Sequence, residues 1–452
     1  MKKIITLLLL FTISSTSFAQ CWENVSAGTL HTLGLMDNGS LWAWGYNAAG
    51  ELGIGNNIDQ NTPVRVGTDN DWSIISAGGE FSMALKSNGT LWAWGNNRYG
   101  ELGDGTLIAK NIPQQVGTDT DWEFISAGFA SSYAIKTDGT LWTWGQNQRG
   151  QLGLGNLTDR LFPVQVGTAT DWETISCGTS HVLAKKTDGT LWSCGYNMFG
   201  QLGLNMTFDR ATFQQIGTDT DWDFISAGGN HSVAVKTSSV MYTWGINIYG
   251  QLGDNTTNMS MVPVEIMDQV VVAEAGFSHT SAILSTNDLY VWGQNNYGQL
   301  GLGNTNNQYV PTAVTTLSDP VKLVNGNRFS LYMDADSYLY VTGYNQYGQL
   351  GDGTNANKSS FINISCSTLS TGEVAANSSI KLYPNPVRDE LNIAQETAMQ
   401  SVVIYNNLGQ EVLTRTIGEN QVRIDVSQLA AGLYHARVSS ESGVQTLRFV
   451  KQ

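Results

Sequence analysis

Charge is scarce in this chain of 452 residues: 13% are Asp, Glu, Lys or Arg, with 23 basic residues against 38 acidic ones and a formal net charge of −15. No basic run offsets the deficit anywhere. A nucleic-acid backbone is thereby excluded as partner, because phosphate binding needs clustered Lys and Arg. Long apolar runs are also missing after the first twenty residues, so nothing downstream reads as a membrane-spanning helix. The compact motifs of common catalysts are absent too: there is no Gly-x-Ser-x-Gly elbow, P-loop, His-Glu-x-x-His or Cys-x-x-Cys. No catalytic residue, metal set or cofactor is assigned. Carboxylates are plentiful, but a glycosidase pair cannot be chosen by spacing when every repeat offers acidic loops.

What is present begins with an address. Residues 1–20, MKKIITLLLLFTISSTSFAQ, join two lysines to an apolar stretch and a Ser-Phe-Ala end, the layout of a secretory signal peptide cut near Ala19 or Gln20. A lipoprotein is the competing reading because Cys21 follows, although Gln20 stands where a lipobox needs a small residue.

Repetition dominates the rest. Glycines of a Trp-Gly type pair fall at Gly45, Gly95, Gly145, Gly195, Gly245, Gly293 and Gly343, fifty residues apart with one spacing of forty-eight. Each unit offers four short apolar or alternating runs, such as WSIISAG, SMALKS, LWAWG and IPQQVG in unit 2, with SNGT as a hairpin signal. One four-stranded sheet cannot bury both faces alone. Seven such units predict an all-β fold, a seven-bladed β-propeller over 21–366, in which blades pack face to face around an axis. All 14 tryptophans lie inside the units at recurrent phases, which predicts indoles between neighbouring blades.

These units, with their AGxxHxxALKxDGTLWxWGxNxxGQLGxG pattern, resemble the regulator of chromosome condensation repeat over about residues 22–365. The resemblance implies the seven-bladed propeller and leaves function open, since members include a Ran nucleotide-exchange factor, a plant ultraviolet-B sensor and a secreted bacterial β-lactamase inhibitor. The photoreceptor's recurrent Gly-Trp-Arg-His-Thr is replaced here by GTLHT, GEFSM, GFASS, GTSHV, GGNHS, GFSHT and GNRFS, none with Trp. Near-constant unit lengths leave no long insertion of the kind that reaches a GTPase.

After Cys366 the repeat stops and residues 367–379 read as a small, polar linker. Residues 380–452 alternate as strands and predict a small C-terminal Ig-like β-sandwich. They resemble the type A C-terminal sorting domain of the type IX secretion system of Bacteroidota. The resemblance is carried by Tyr383, Pro384, Asn385 and Pro386, by Leu408 and Gly409, by Gly432, Leu433 and Tyr434, and by Lys451 near the end. It implies the type IX machinery as partner, export through the periplasm, and a protein that is secreted or held at the outer-membrane surface.

Cys366 falls at the phase of Thr68 and Cys21 at that of Asp71, so a Cys21–Cys366 disulfide would link the two ends of the propeller. Cys177 and Cys194 sit two strands apart in one unit and are expected as thiols. His31, His181, His231 and His279 share one phase but lie in different blades, which predicts structural histidines bonding their backbone neighbourhood rather than a metal site. Asp69, Asp71 and their copies in TDTDW suggest Asx-type turns between units instead of calcium loops.

One variable set remains. Four positions after the Trp-Gly glycine stand Ala49, Tyr99, Arg149, Phe199, Tyr249, Tyr297 and Tyr347, a rim of aromatics suited to protein or sugar recognition, although tyrosine before GQLG is common in this repeat pattern and packing is the favoured reading. The expectation is therefore a non-enzymatic, exported propeller that presents a loop face to an unknown protein or glycan. A surface enzyme acting on polysaccharide and a secreted enzyme inhibitor are the alternatives.

Overall fold

The computed structural model describes residues 22–317, 319–364, 381–384, 387–394, 398–406, 411–429, 432–440 and 443–451. Every regular element among them is a β-strand. The chain divides into two compact units, Met1–Thr368 and Leu369–Gln452.

The first unit holds seven four-stranded antiparallel sheets, each made of consecutive strands in simple order. Blade 1 is Trp22–Ala27, His31–Met36, Leu41–Gly45 and Gln60–Arg65. Blade 7 is Pro320–Asn325, Phe329–Asp334, Leu339–Gly343 and Lys358–Ile364. The first strands of successive blades touch each other, and that of blade 7 touches that of blade 1, so the ring of seven closes. Among the described residues no strand is exchanged between the two ends. The repeat and the seven-bladed reading of the sequence both hold.

The core lies between blades. Leu33, Leu35, Leu41, Ala43, Leu52 and Val66 of blade 1 bury themselves against Trp72, Ile75, Ala84 and Trp94 of blade 2. A blade whose apolar faces are finished only by its neighbours has no stability of its own, which explains why the units come as a closed set.

A hydrogen-bonded clasp fixes each junction. The carbonyl of Glu51 accepts from the indole N–H of Trp94 and from the Ser82 hydroxyl, both at 2.8 Å and both from the next blade. Gly103, with φ +67°, shows why the loop needs glycine: a Cβ there would lie 2.8 Å from Trp144 Nε1. At the closing junction Trp44 Nε1 and Thr32 Oγ1 each donate to the Gln349 carbonyl at 2.9 Å. The ring thus closes with the same contacts that join its interior blades. Cys21 and Cys366 lie outside the described residues.

Blade 4 departs from the pattern and compensates. Cys194 replaces the clasp tryptophan and donates to the Gln151 carbonyl at 3.3 Å, while the Tyr133 hydroxyl donates to the same carbonyl at 3.0 Å. Phe213, where most units have proline, lies 5.0 Å from the Trp172 ring and against Gly153. Cys177 and Cys194 are free thiols. Both flank Val182 in register, two strands apart, as the meander requires.

The second unit has a sheet of Lys381–Tyr383, Glu390–Ala394 and Gln421–Asp425, and another of Glu411–Thr416, Met399–Asn406, Gly432–Ser440 and Gly443–Lys451. Leu391, Ile393 and Ile424 of the first share one core with Val402, Ile404, Ala436, Val438 and Phe449 of the second, which makes a two-sheet β-sandwich. Tyr434 is buried and stacks on Phe449 at 5.6 Å, and Lys451 pairs with Gly432 at the sheet end. Leu433 lies in the same strand pair, opposite Val450. Tyr383 is exposed and its hydroxyl accepts from Gln421 Nε2 at 3.3 Å; Pro384 follows it, also exposed. Asn385, Pro386, Leu408 and Gly409 lie outside the described residues.

Candidate binding face

The loops after the first and third strands of each blade emerge at the same end, as the bond from Tyr46 N to the Leu30 carbonyl at 2.9 Å shows. The long loop after the third strand is organised by one buried asparagine. Asn47 donates to the carbonyls of Asn56 and Ile58 at 3.0 and 3.1 Å and accepts from Leu52 N at 2.9 Å. The Leu-to-Asn bond recurs in all seven units. A buried amide with its bonds satisfied makes this loop a rigid platform.

The rim residues read from the sequence do not form an even ring. Tyr297 meets Tyr344 edge to face at 5.0 Å, Tyr344 meets Tyr347 at 6.3 Å, and Tyr347 meets Tyr46 at 5.0 Å. This arc of four tyrosines crosses blades 6, 7 and 1. Arg328 caps its far end, 5.1 Å above the Tyr297 ring and 3.2 Å from its hydroxyl. A second cluster joins Arg149, 5.0 Å above Tyr196, to Phe199 at 6.1 Å from that same ring, with Asp209 at 3.5 Å from the guanidinium. Tyr99 and Tyr249 are half-buried, and their amides are held by Glu101 and Gln251 side chains at 2.8 and 2.9 Å. Among the described residues neither has a ring partner.

Sequence reasoning chose the phase four residues after the glycine and passed over Tyr196, Tyr344 and Arg328. The signal for the first two was the residue directly after the repeat glycine, here after Cys-Gly and Thr-Gly, aromatic only in units 1, 4 and 7. Its neighbourhood with the rim tyrosine follows from the loop's turn, which a linear phase count does not reveal.

Carboxylates lie beneath this face. Burial, above all, pushes the Glu51 carboxyl up to about 7, opposed by its backbone bonds and reinforced by Glu80 and Asp59. Glu101 is raised for the same first reason. The axis opens on the same face through a mouth of about 110 Å³ lined by Gly28, Gly78, Phe129, Phe277 and Asn327. Below it Glu274, also pushed up to about 7 by burial, accepts from Ser226 Oγ at 2.8 Å.

The histidines require a correction. His31 Nε2 bonds Ser82 Oγ of the next blade at 3.0 Å, and His181, His231 and His279 make the equivalent contacts to Ser232, Thr280 and Ser330. Because the Ser82 proton already goes to the Glu51 carbonyl, His31 is the donor. The bond crosses a junction instead of staying in its own backbone neighbourhood, and the ring sits against Gly28, where a Cβ would stand 2.5 Å from His31 Cε1. Burial lowers His31, His181 and His231 to about 3 and His279 to about 4, so all four are neutral.

The aspartates of the opposite end also do more than turn the chain. Asp69 and Asp71 hold Lys86 Nζ at 2.6 and 3.1 Å, and that ammonium stands 4.9 Å from the Trp72 and Trp92 ring centres. Lys136 and Lys236 repeat the arrangement; Lys186 keeps Asp171 alone because Ala169 replaces the first aspartate. These carboxylates serve an internal ammonium. The lysine, fifteen residues after the second aspartate, was the signal missed in the sequence.

A closed seven-bladed propeller with an aromatic loop face, followed in the chain by a two-sheet sandwich, defines the class of the fold. The family comparisons agree. The RCC1-like domain model matches residues 12–282, the regulator of chromosome condensation repeat matches 270–299 and 287–333, and the secretion system C-terminal sorting domain matches 381–452. The chain belongs to the RCC1-like domain family and carries a type IX sorting domain, so the protein is secreted or at the outer-membrane surface. The ultraviolet-B receptor UVR8 of Arabidopsis thaliana is 46% identical over 44 residues, which is 10% of this chain and 10% of that receptor. Human WBSCR16 has a TM-score of 0.66 at 20% identity, covering 72% of this chain and 94% of that one. Prp20p of Saccharomyces cerevisiae, whose structure was described with its binding to Gsp1p and histones, has a TM-score of 0.65 at 19% identity, covering 80% and 90%. Such identities establish a shared fold alone. Among the described residues no helix is long and apolar enough to cross a membrane.

Proposed function

We propose that this protein is a non-enzymatic binding module, delivered by the type IX machinery through its C-terminal domain, that presents the loop face of its propeller to a protein or glycan outside the cell. The observation that carries the reading is the tyrosine arc from Tyr297 through Tyr344 and Tyr347 to Tyr46. Half-exposed tyrosines on a rigid frame give contact area at low entropic cost, as recognition surfaces require. Arg149 and Phe199, with Tyr196, form a second aromatic cluster on the same face outside the arc, and Tyr99 and Tyr249 complete the rim without entering the contact.

The test is retention of a partner from envelope extracts and glycan arrays by the full-length protein, compared with Tyr297→Ala and Tyr344→Ala. Loss of retention supports the reading. Turnover of any polysaccharide or other substrate that disappears in Glu51→Gln would replace it with an enzyme.

A further inference from the structure

The chain's own lysines show what an ammonium group finds congenial here. Lys86, Lys136 and Lys236 each stand between two carboxylates and over two aromatic rings. Charge-assisted bonds and the negative faces of the rings act together on one cation.

A comparable set of side chains occurs on the loop face of blade 1 with no lysine in it. Tyr46 and Tyr347 meet edge to face at 5.0 Å. Asp59 is held there by Asn47 N at 2.8 Å, Glu51 by Ala49 N at 2.9 Å, and Glu80 by Asn96 Nδ2 at 2.7 Å. After burial, the largest cause, the same three carboxylates raise the Tyr46 phenol, so they share its neighbourhood. None of the ion pairs among the described residues involves them.

The junction between blades 1 and 2 also lacks a donor that another junction has. Between blades 4 and 5, Gln201 Nε2 donates to Asn230 Oδ1 at 3.3 Å. The same two positions here are Glu51 and Glu80, two carboxyls in place of an amide pair. Glu51 is fully buried and its Oε1 has no partner. A buried acceptor left unpaired is costly, and a cation beside it would relieve that cost.

We propose that the corner formed by Tyr46, Tyr347, Glu51, Glu80 and Asp59 receives a lysine side chain from a protein partner, in the role that Lys86 and its copies fill on the opposite face. The proposal rests on the loop face being a binding surface and gives that surface a partner chemistry. The net charge of −15 favours a basic segment over an acidic one and steers it during encounter.

Titration of the full-length protein with a labelled hexalysine peptide, followed by fluorescence anisotropy at physiological salt, tests this. Binding should weaken about tenfold in Glu80→Gln, in Tyr46→Ala, and when the peptide ammonium groups are acetylated. Glu123→Gln removes the same charge from an exposed site in another blade and should change binding less than about twofold. Equal weakening by Glu80→Gln and Glu123→Gln, or no binding by the unaltered protein, overturns the proposal. Spermidine binding as tightly as hexalysine overturns the assignment to a protein segment. Tyr297→Ala leaves the corner intact, so loss of the natural partner in that variant with hexalysine binding unchanged separates the broader reading from this one.

Discussion

Blades 2 to 5 and the sector formed by blades 6, 7 and 1 have the same strands, and all but blades 4 and 7, with Cys194 and Thr342, keep the clasp tryptophan, yet they spend their aromatic and charged residues differently. In blades 2 to 5 a lysine sits between aspartate and two rings at the end opposite the loop face, closing the site from within. Blades 1, 6 and 7 have Met36, Leu284 and Asp334 at that position, and place their tyrosines in an arc on the loop face. Repeats held to one pattern satisfy their own groups. Repeats that depart from it leave rings and carboxylates available to another molecule.

The largest effect should come from breaking what the two regions share. Trp94→Ala removes a buried indole and its bond to the Glu51 carbonyl, and should cost about 3–5 kcal/mol in urea denaturation. Trp44→Ala, at the closing junction, should cost the same to within about 1 kcal/mol, because its clasp is the same. A much smaller loss at Trp44 would mean that the ends are held by something else.

Acid should come next. The four histidines have folded pKa values of about 3 to 4, below the ordinary 6.5, so the unfolded chain binds protons that the folded one refuses and stability falls as pH drops from about 6.5 toward 3. Glu51 and Glu274, raised to about 7, act with the opposite sign between about 4.5 and 7, where the folded state keeps protons that the unfolded state releases. With four histidines against two carboxyls, the urea midpoint should already fall between pH 6.5 and 5 and fall more steeply below 4.5, where the carboxyls no longer offset the loss. His231→Gln should flatten the lower limb.

Smaller effects distinguish the sectors. Lys86→Met in blade 2 should cost about 1–2 kcal/mol, since its aspartates are half exposed and can rehydrate once the ammonium is gone. Tyr344→Ala should change stability by less than about 0.5–1 kcal/mol while weakening partner binding by more than tenfold, about 1.4 kcal/mol or more. A stability loss at Tyr344 as large as that at Lys86 would make the arc a structural feature.

The sequence made the fold legible because a fifty-residue period places every glycine, tryptophan and hairpin in register. A phase count shows which residues are equivalent, and in a propeller equivalent residues share an environment, as the clasp from Trp44 to Trp292 shows. It does not show which different phases meet. Tyr46 and Tyr347 are three hundred residues apart and belong to adjoining blades. The lysine clamps were missed for the same reason: fifteen residues separate Asp71 from Lys86, and only the return of the second strand brings them together. In the sorting domain the resemblance identified the unit, while the burial of Tyr434 against Phe449 needed the paired strands.

The most direct measurement is tyrosine footprinting of the full-length protein by nitration, with and without a purified envelope fraction, read by mass spectrometry. Protection of Tyr46, Tyr344 and Tyr347, with Tyr99 and Tyr249 unchanged, is the predicted result. Protection spread evenly over all five, or confined to Tyr99 and Tyr249, would contradict a division between scaffold blades and a recognising sector.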